Sequence, residues 1–499
     1  MVKAGWGILK SAFILYRMHR CLARDLLEKY QRPLAMPCRM PYNRAARHFV
    51  SVKRRMTVTD QRYYAAVVGA GPAGLYAARE LARHGVRVVL FNRDIKPGGL
   101  AEYGIYPEKH AMKRGLRQQF HQVLDTPGLT YCGNVTIGSK GDLTLDDLRA
   151  LGFQAILVCA GAQGIKWLGI PGEALNGVYH AKGPVYHYNL LPPYTQKVFE
   201  FGKRVAIVGA GNVMLDITRY LTRRLQVDEV IALVRRGPLE VKFDRKELEH
   251  VAAYLDLEDF EKEIERIRPH LEAIGQDVQA AKENILAALP KAEPPSSRSR
   301  FRLEFLVSPS RVLGEQQAQG LEVEENILTV DKNGVVKARG TGKFREIKVD
   351  SVVFAVGDRV DQDFGLPVSS AEFAKNPAPR FPVDDISYEA YDPEAQAIIP
   401  DVFIAGWSRQ ASTGLVGYAR KDGVNGAKAV LQYLQTLSPI VPDESALAAR
   451  LKALGKPVVN LSDIRKLAEI EDEIARQRGL ETFKFGTNEE MLERIMSVG

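Results

Sequence analysis

The chain is 499 residues long, 45% hydrophobic and 26% charged, the balance of a globular protein with room for two or three domains that each bury a core. Its net charge of +9 lies wholly in residues 1–55, where 13 Lys and Arg stand against Asp25 and Glu28 (+11). Residues 56–499 carry −2, too little for the basic face of a nucleic-acid-binding domain.

Cys21, Cys38, Cys132 and Cys159 form no CxxC pair or cluster. This argues against an iron–sulfur or zinc site, with metal ligation expected nowhere in the chain, and against a redox dithiol. So few, scattered cysteines suit a reducing, cytoplasmic compartment. No apolar stretch reaches the roughly 18 to 20 residues of a membrane span.

In chain order, residues 1–59 read first as a basic extension. They are acid-poor, with Trp6, Leu9, Phe13, Ile14, Leu22 and Leu26 at loosely helical spacing. The segment reads as disordered or as lying upstream of a start at Met56. The alternative is an organelle-targeting or membrane-surface helix. From Tyr63 the pattern predicts a strand at Ala65–Val68, a glycine turn, and a helix from Leu75 to Arg83. Next come a strand at Val86–Phe91, a loop, a helix at Lys109–Leu124 and a buried strand at Ala155–Cys159. A second unit opens near Lys203 with a strand at Arg204–Val208, a second glycine turn, a helix at Val213–Arg224 and a strand at Glu229–Val234. Residues 244–293 are charged helical text, read as an insertion. Strands follow at Phe301–Val307, Leu321–Glu324, Val352–Val356 and Val402–Ala405, then a helix from Gly417 to Leu434 and a polar, mostly helical tail from Leu437.

The two glycine turns, Gly69-Ala-Gly-Pro-Ala-Gly74 and Gly209-Ala-Gly-Asn-Val-Met214, each follow a run of apolar β-formers and open a helix. In that setting Gly69 and Gly209 allow the tight turn, Gly71 and Gly211 let backbone approach a pyrophosphate, and Gly74 packs helix on strand. One chain with two such turns predicts two bound dinucleotides. Around the first, Pro97-Gly-Gly-Leu100 and Tyr103-Gly104-Ile105 supply close backbone for a flavin ring, so FAD is expected there, with Gly99 and Leu100 beside it. Asn92 falls where a ribose-binding carboxylate is usual; it can still donate and accept, so it is expected to contact the FAD ribose, with Asp94 as a candidate to share the role. After the second, Arg235 and Arg236 stand where an acidic residue would select NAD. Their guanidinium forks match a 2′-phosphate, which predicts NADP(H).

These residues resemble the adrenodoxin reductase family, the glutathione reductase-type NADPH:ferredoxin oxidoreductases. The matching text is Val208–Asp216, Arg235–Phe243 with Lys246-Glu-Leu248, Ile170-Pro-Gly172, Ala405-Gly-Trp407 and Thr413-Gly-Leu-Val416. The resemblance runs from about Tyr63 to Gly499, and Gly406-Trp407 is its most specific element. It implies an α/β fold of two Rossmann-like domains. Residues 60–160 and 360–436 would bind FAD, 161–359 with the helical insertion would bind NADP, and 437–499 would form a helical extension. It also implies that Trp407 and Gly414 shape the face where flavin and nicotinamide meet. Ala73, Leu100, Ile137, Leu415 and Val416 are then flavin contacts. Asn212, Val213, Arg235, Arg236, Glu247 and Gly414 are then NADP contacts.

The implied activity is transfer of electrons from NADPH through FAD to a ferredoxin-like iron–sulfur protein. The rival enzyme reading is the flavin subunit of a larger reductase, similar to a glutamate synthase small subunit or a transhydrogenase, which would usually carry cluster cysteines. A non-catalytic NADP-sensing protein and a flavin monooxygenase are further readings. Two departures stand out. A polar family position near the flavin falls on Lys109 or, with a one-residue shift, on His110. A basic partner-docking position falls on Glu249, for which Arg298, Arg300 and Arg302 are a candidate substitute.

Overall fold

The computed structural model describes residues 63–497 apart from 412, 413 and 415. The extension 1–59 and the Leu415 contact therefore lie outside the described residues.

Apolar runs that alternate between two buried faces build the first sheet. Its six strands lie in the order Glu389–Asp392, Ala397–Ile404, Ala155–Val158, Tyr63–Val68, Val86–Asn92 and Leu129–Gly133. All neighbours pair in parallel except Glu389–Asp392, which runs antiparallel at the edge. One face (Val67, Leu90, Leu157, Phe403) packs under the helices Pro72–Arg83 and Val416–Leu434. The other (Ala66, Phe91, Ile156, Ile404) joins Ile137, Phe364 and Phe373.

The second sheet is wholly parallel: Val178–His180, Ser351–Phe354, Arg204–Val208, Glu229–Val234 and Arg300–Phe305. Both of its faces are buried as well. Such two-sided burial is what parallel strands linked by helical crossovers require. The charged text at 244–293 folds into the helices Leu257–Glu272 and Val278–Leu286, whose apolar stripe (Phe260, Ile264, Ile267, Leu271) enters the core of this sheet.

Three elements differ from the sequence reading. The strand expected at Phe301–Val307 is broken at Leu306, whose φ of 53° turns the chain. Val307–Leu313 then begins a separate antiparallel sheet with Gly320–Val330 and Val336–Ile347. The last of these strands is almost entirely exposed and polar, so it offers no apolar alternation to read. The helix expected to Arg224 is α-helical over Asn212–Arg219 and continues as a π-helical turn, Tyr220–Leu225.

The tail after Leu437 is more than a polar appendage. Val459 bridges Gly133 at the edge of the first sheet, and Ile464, Leu467, Phe485, Met491 and Ile495 complete the cluster that holds Leu75 and Leu81. Among the described residues no helix is long and apolar enough to cross a membrane.

Candidate dinucleotide sites

The first glycine turn runs from strand Tyr63–Val68 into helix Pro72–Arg83. Gly69 takes φ +100°, and a Cβ there would strike the Cys159 carbonyl, so the position needs glycine. A Cβ on Gly74 would collide with the Gly69 carbonyl oxygen, whereas one on Gly71 would meet nothing within 4 Å. The helix starts at Gly71 with no side-chain cap and no acidic residue in its first turn. Its N–H groups and its dipole are thus left for a phosphate.

Two further turns close on this point. Gly98 N–H donates to the Ala70 carbonyl (2.7 Å), and Gly99 at φ +50° lies against Gly71. Leu100 opens the short helix Leu100–Tyr103 and is half-buried against the core of the second sheet. A Cβ on Gly406 would touch that of Ala73, so the turn Gly406–Ser408, which carries half-buried Trp407, sits over the helix start.

The buried Asp422 holds that turn. Its carboxylate accepts from Gly406 N–H (2.6 Å), from Arg409 at 2.5 and 3.1 Å, and from the Tyr388 hydroxyl (3.1 Å). Ser408 Oγ accepts from Gly161 N–H (3.0 Å) and ties the turn to the end of strand Ala155–Val158. Sequence reasoning missed Asp422. It reads as one polar residue in a helix, and only the loop it clamps reveals its task.

Gly414, exposed at φ +73°, stands against Tyr418, and Val416 begins the long helix Val416–Leu434. Ile137 is buried beside Val68 and Phe364. Asn92 is fully engaged within the protein. Its Oδ1 accepts from Ala70 N–H (2.9 Å), while Nδ2 donates to the carbonyls of Asp94 (2.8 Å) and Lys96 (3.0 Å). The side chain thus pins the glycine turn to the loop after strand Val86–Asn92.

The second turn repeats the design. Gly209 takes φ +146° against the Ala355 carbonyl, Gly211 has open space where a Cβ would be, and helix Asn212–Arg219 begins uncapped with no acid in its first turn. Asn212 exchanges two hydrogen bonds with Asp244, and Lys242 N–H donates to the Ala210 carbonyl (2.8 Å). Val213 is exposed. Arg235 is exposed and makes no ion pair among the described residues; Arg236 makes only long contacts, 3.4 and 3.5 Å, to the carbonyls of Val336 and Glu240. Two guanidinium groups thus stand ready for an anion beside this turn.

Lys109 and Glu247, assigned separately from the sequence, meet: the Lys109 ammonium lies 2.7 and 2.6 Å from the two Glu247 oxygens. Beside them burial pushes the Asp216 carboxyl up to about 7, with Lys109 and Arg219 opposing the rise and Glu247 adding to it. Glu108 accepts from the buried Arg219 (2.8 Å), whose guanidinium lies 4.5 Å over the Tyr106 ring. His110 points elsewhere, its Nδ1 3.4 Å from the Thr482 hydroxyl.

Of the three arginines offered as a substitute docking surface, Arg298 is exposed, while Arg300 and Arg302 are engaged by carboxylates. Arg300 pairs with Glu229 and Asp256, and Arg302 with Asp259, Glu304 and Glu229. Cys132 and Cys159 are free and buried, and burial pushes the Cys132 thiol up to about 12, so neither is placed to act as a redox thiol.

Residues 63–259 match the family model for pyridine nucleotide-disulphide oxidoreductases. The NADPH-ferredoxin reductase FprA of Mycobacterium tuberculosis is 28% identical over 412 residues, covering 74% of this chain and 84% of its own. The mitochondrial NADPH:adrenodoxin oxidoreductase of Bos taurus is 27% identical, over 92% of this chain and 96% of its own. The structure of M. tuberculosis FprA in complex with NADPH superposes with a TM-score of 0.72 at 25% identity, covering 87% of this chain and all of that one. With two uncapped, glycine-lined helix starts on two parallel sheets, the chain is similar to the NADPH-dependent ferredoxin and adrenodoxin reductases, and its first half to the pyridine nucleotide-disulphide oxidoreductases.

Proposed function

We propose that the chain oxidises NADPH through FAD and passes single electrons to a ferredoxin-like iron–sulfur protein. FAD would lie on the first glycine turn, held by Gly69, Gly71, Ala73, Gly74, Gly99, Leu100 and Val416. NADPH would lie on the second, held by Gly209, Gly211, Asn212 and Val213, with its 2′-phosphate on Arg235 and Arg236. Bound FAD supplies the chemistry that accepts a hydride and releases two electrons one at a time.

The protein contributes placement. The helix start at Gly71 fixes a pyrophosphate by its N–H groups and dipole. The Gly406–Ser408 turn, clamped by Asp422, sets the face that Trp407 presents. Gly414, without a Cβ, lets Tyr418 pack against it at the start of helix Val416–Leu434. The Lys109–Glu247 pair holds the loop after the flavin turn against the NADP unit. Neither a protein nucleophile nor a general base is required for the hydride step.

The observation that carries this reading is the pair of Gly71 and Gly211, each an uncapped helix start with empty space where a Cβ would be. NADPH added anaerobically to the purified protein is expected to bleach its visible flavin absorbance, and NADH to do so far more slowly. A panel of small iron–sulfur proteins then identifies the acceptor. Flavin that stays oxidised under excess NADPH rejects the proposal.

The few scattered cysteines support a reducing, cytoplasmic location. One observation favours an organelle instead: the charge of +11 on the acid-poor residues 1–55. A fluorescent protein fused behind residues 1–60 decides between them by where it accumulates.

A further inference from the structure

Away from both glycine turns lies a cavity of about 80 Å³ whose wall combines helix His110–Leu124, residues 188–190 and the tail at Thr482 and Lys484. It is lined by His110, Lys113, Arg117 and Lys484 and by no carboxylate, and no residue of the glycine turns or of the Gly406–Ser408 turn reaches it. Lys113 is 5% exposed, and its ammonium donates only to neutral acceptors, the Ile105 carbonyl (3.0 Å) and Asn189 Oδ1 (2.7 Å).

Next to it Arg117 and Lys484 share one carboxylate. Glu102 accepts two bonds from Arg117 at 2.7 Å and lies 2.5 Å from Lys484 Nζ. The neighbouring Glu471 is already bound to Lys96. Three basic side chains therefore face one carboxylate: Arg117 and Lys484 outnumber Glu102, and Lys113 becomes a third cation when it takes up a proton. A buried charge without a counter-charge is costly, which makes the arrangement a receptor for negative charge. The space beside these side chains has room for a small oxyanion.

We propose that this cavity binds a small tetrahedral oxyanion, of the size and charge of sulfate or phosphate, held by Lys113, Arg117 and Lys484 with His110 and the Thr482 hydroxyl completing the shell. The bound anion would tie the first helix after the flavin loop to the C-terminal tail. Burial, reinforced by Lys484 and Arg117, pushes Lys113 down to about 6. Lys113 is then largely neutral at pH 8, and an arriving anion draws a proton onto it. Binding should take up close to one proton and weaken as pH rises from 7 to 9.

The probe is sulfate, which does not titrate in this range, added to the FAD-loaded protein with saturating NADP⁺ so that both phosphate cradles are filled. Calorimetry in two buffers of different ionisation enthalpy reads proton uptake. Chloride at matched ionic strength controls for screening. Saturable one-to-one binding with proton uptake is expected. Lys113→Met should weaken binding at least about tenfold, and Lys113→Arg, a permanent cation, should retain binding without the uptake. An unchanged flavin spectrum certifies both variants. No binding beyond the chloride control, unchanged affinity in Lys113→Met, or acetate binding as tightly as sulfate would each overturn the proposal.

Discussion

Arg235 ends the strand Glu229–Val234 with its guanidinium in solvent and no ion pair among the described residues, so nothing within the protein rewards its position. A hydrogen bond to a charged group is worth about 1.5–3 kcal/mol. Arg235→Ala is therefore expected to raise KM for NADPH about 10- to 100-fold while leaving turnover with NADH unchanged, as read by steady-state kinetics with each nucleotide. Equal losses with both nucleotides would mean that the side chain acts elsewhere than on a 2′-phosphate.

Asp216 carries a different expectation. Its folded-state pKa, raised to about 7 by burial, lies above the ordinary value of 3.8. Between those values the folded chain holds a proton the unfolded chain has lost. Stability at this group is hence fully present below about pH 4 and is lost as pH rises toward 7, by up to about 4 kcal/mol. Asp216→Asn should flatten that part of the melting temperature–pH curve, and an unchanged curve would show that Asp216 is ionised at its ordinary pH.

The two glycine turns are the elements most legible in sequence, because their φ angles and close contacts admit few other residues. The structure separates the glycines further, by what a methyl group would meet. Gly71→Ala adds a Cβ in empty space on a backbone of φ −75°, so the fold should persist while flavin content of the purified protein falls. Gly74→Ala drives a Cβ into the Gly69 carbonyl, so helix Pro72–Arg83 must shift and the protein should melt several degrees lower or fail to accumulate. If Gly71→Ala keeps a full complement of FAD, the cradle is not where the phosphate lies.

Other elements were hidden for physical reasons. Strand Val336–Ile347 pairs with Gly320–Val330 with its side chains mostly exposed, and so leaves no apolar period. Asp422 and the Lys109–Glu247 pair depend on contacts between segments 16 and 138 residues apart. No local pattern encodes those.

Across the whole molecule, the sheets are joined by a loop of the first that is embedded in the second. Tyr103 and Leu100 pack into the second core, Tyr106 lies under Arg219, and Glu108 and Lys109 pair with Arg219 and Glu247. The same loop follows the glycines of the flavin turn, so its anchoring sets how a dinucleotide on one sheet meets a dinucleotide on the other. Lys109 and Glu247 are each about one-fifth exposed, which places their interaction between the weak pairs of a surface and the strong coupling of buried ones. Lys109→Met, Glu247→Gln and the double variant should give a coupling of about 1–2 kcal/mol in a denaturation cycle. Stopped-flow reduction by NADPH should slow in both single variants and recover in part in Lys109→Arg, which restores the charge. A coupling near zero with unaltered reduction rates would mean that the apolar contacts of Tyr103 and Leu100 hold the sheets in register without help from this ion pair.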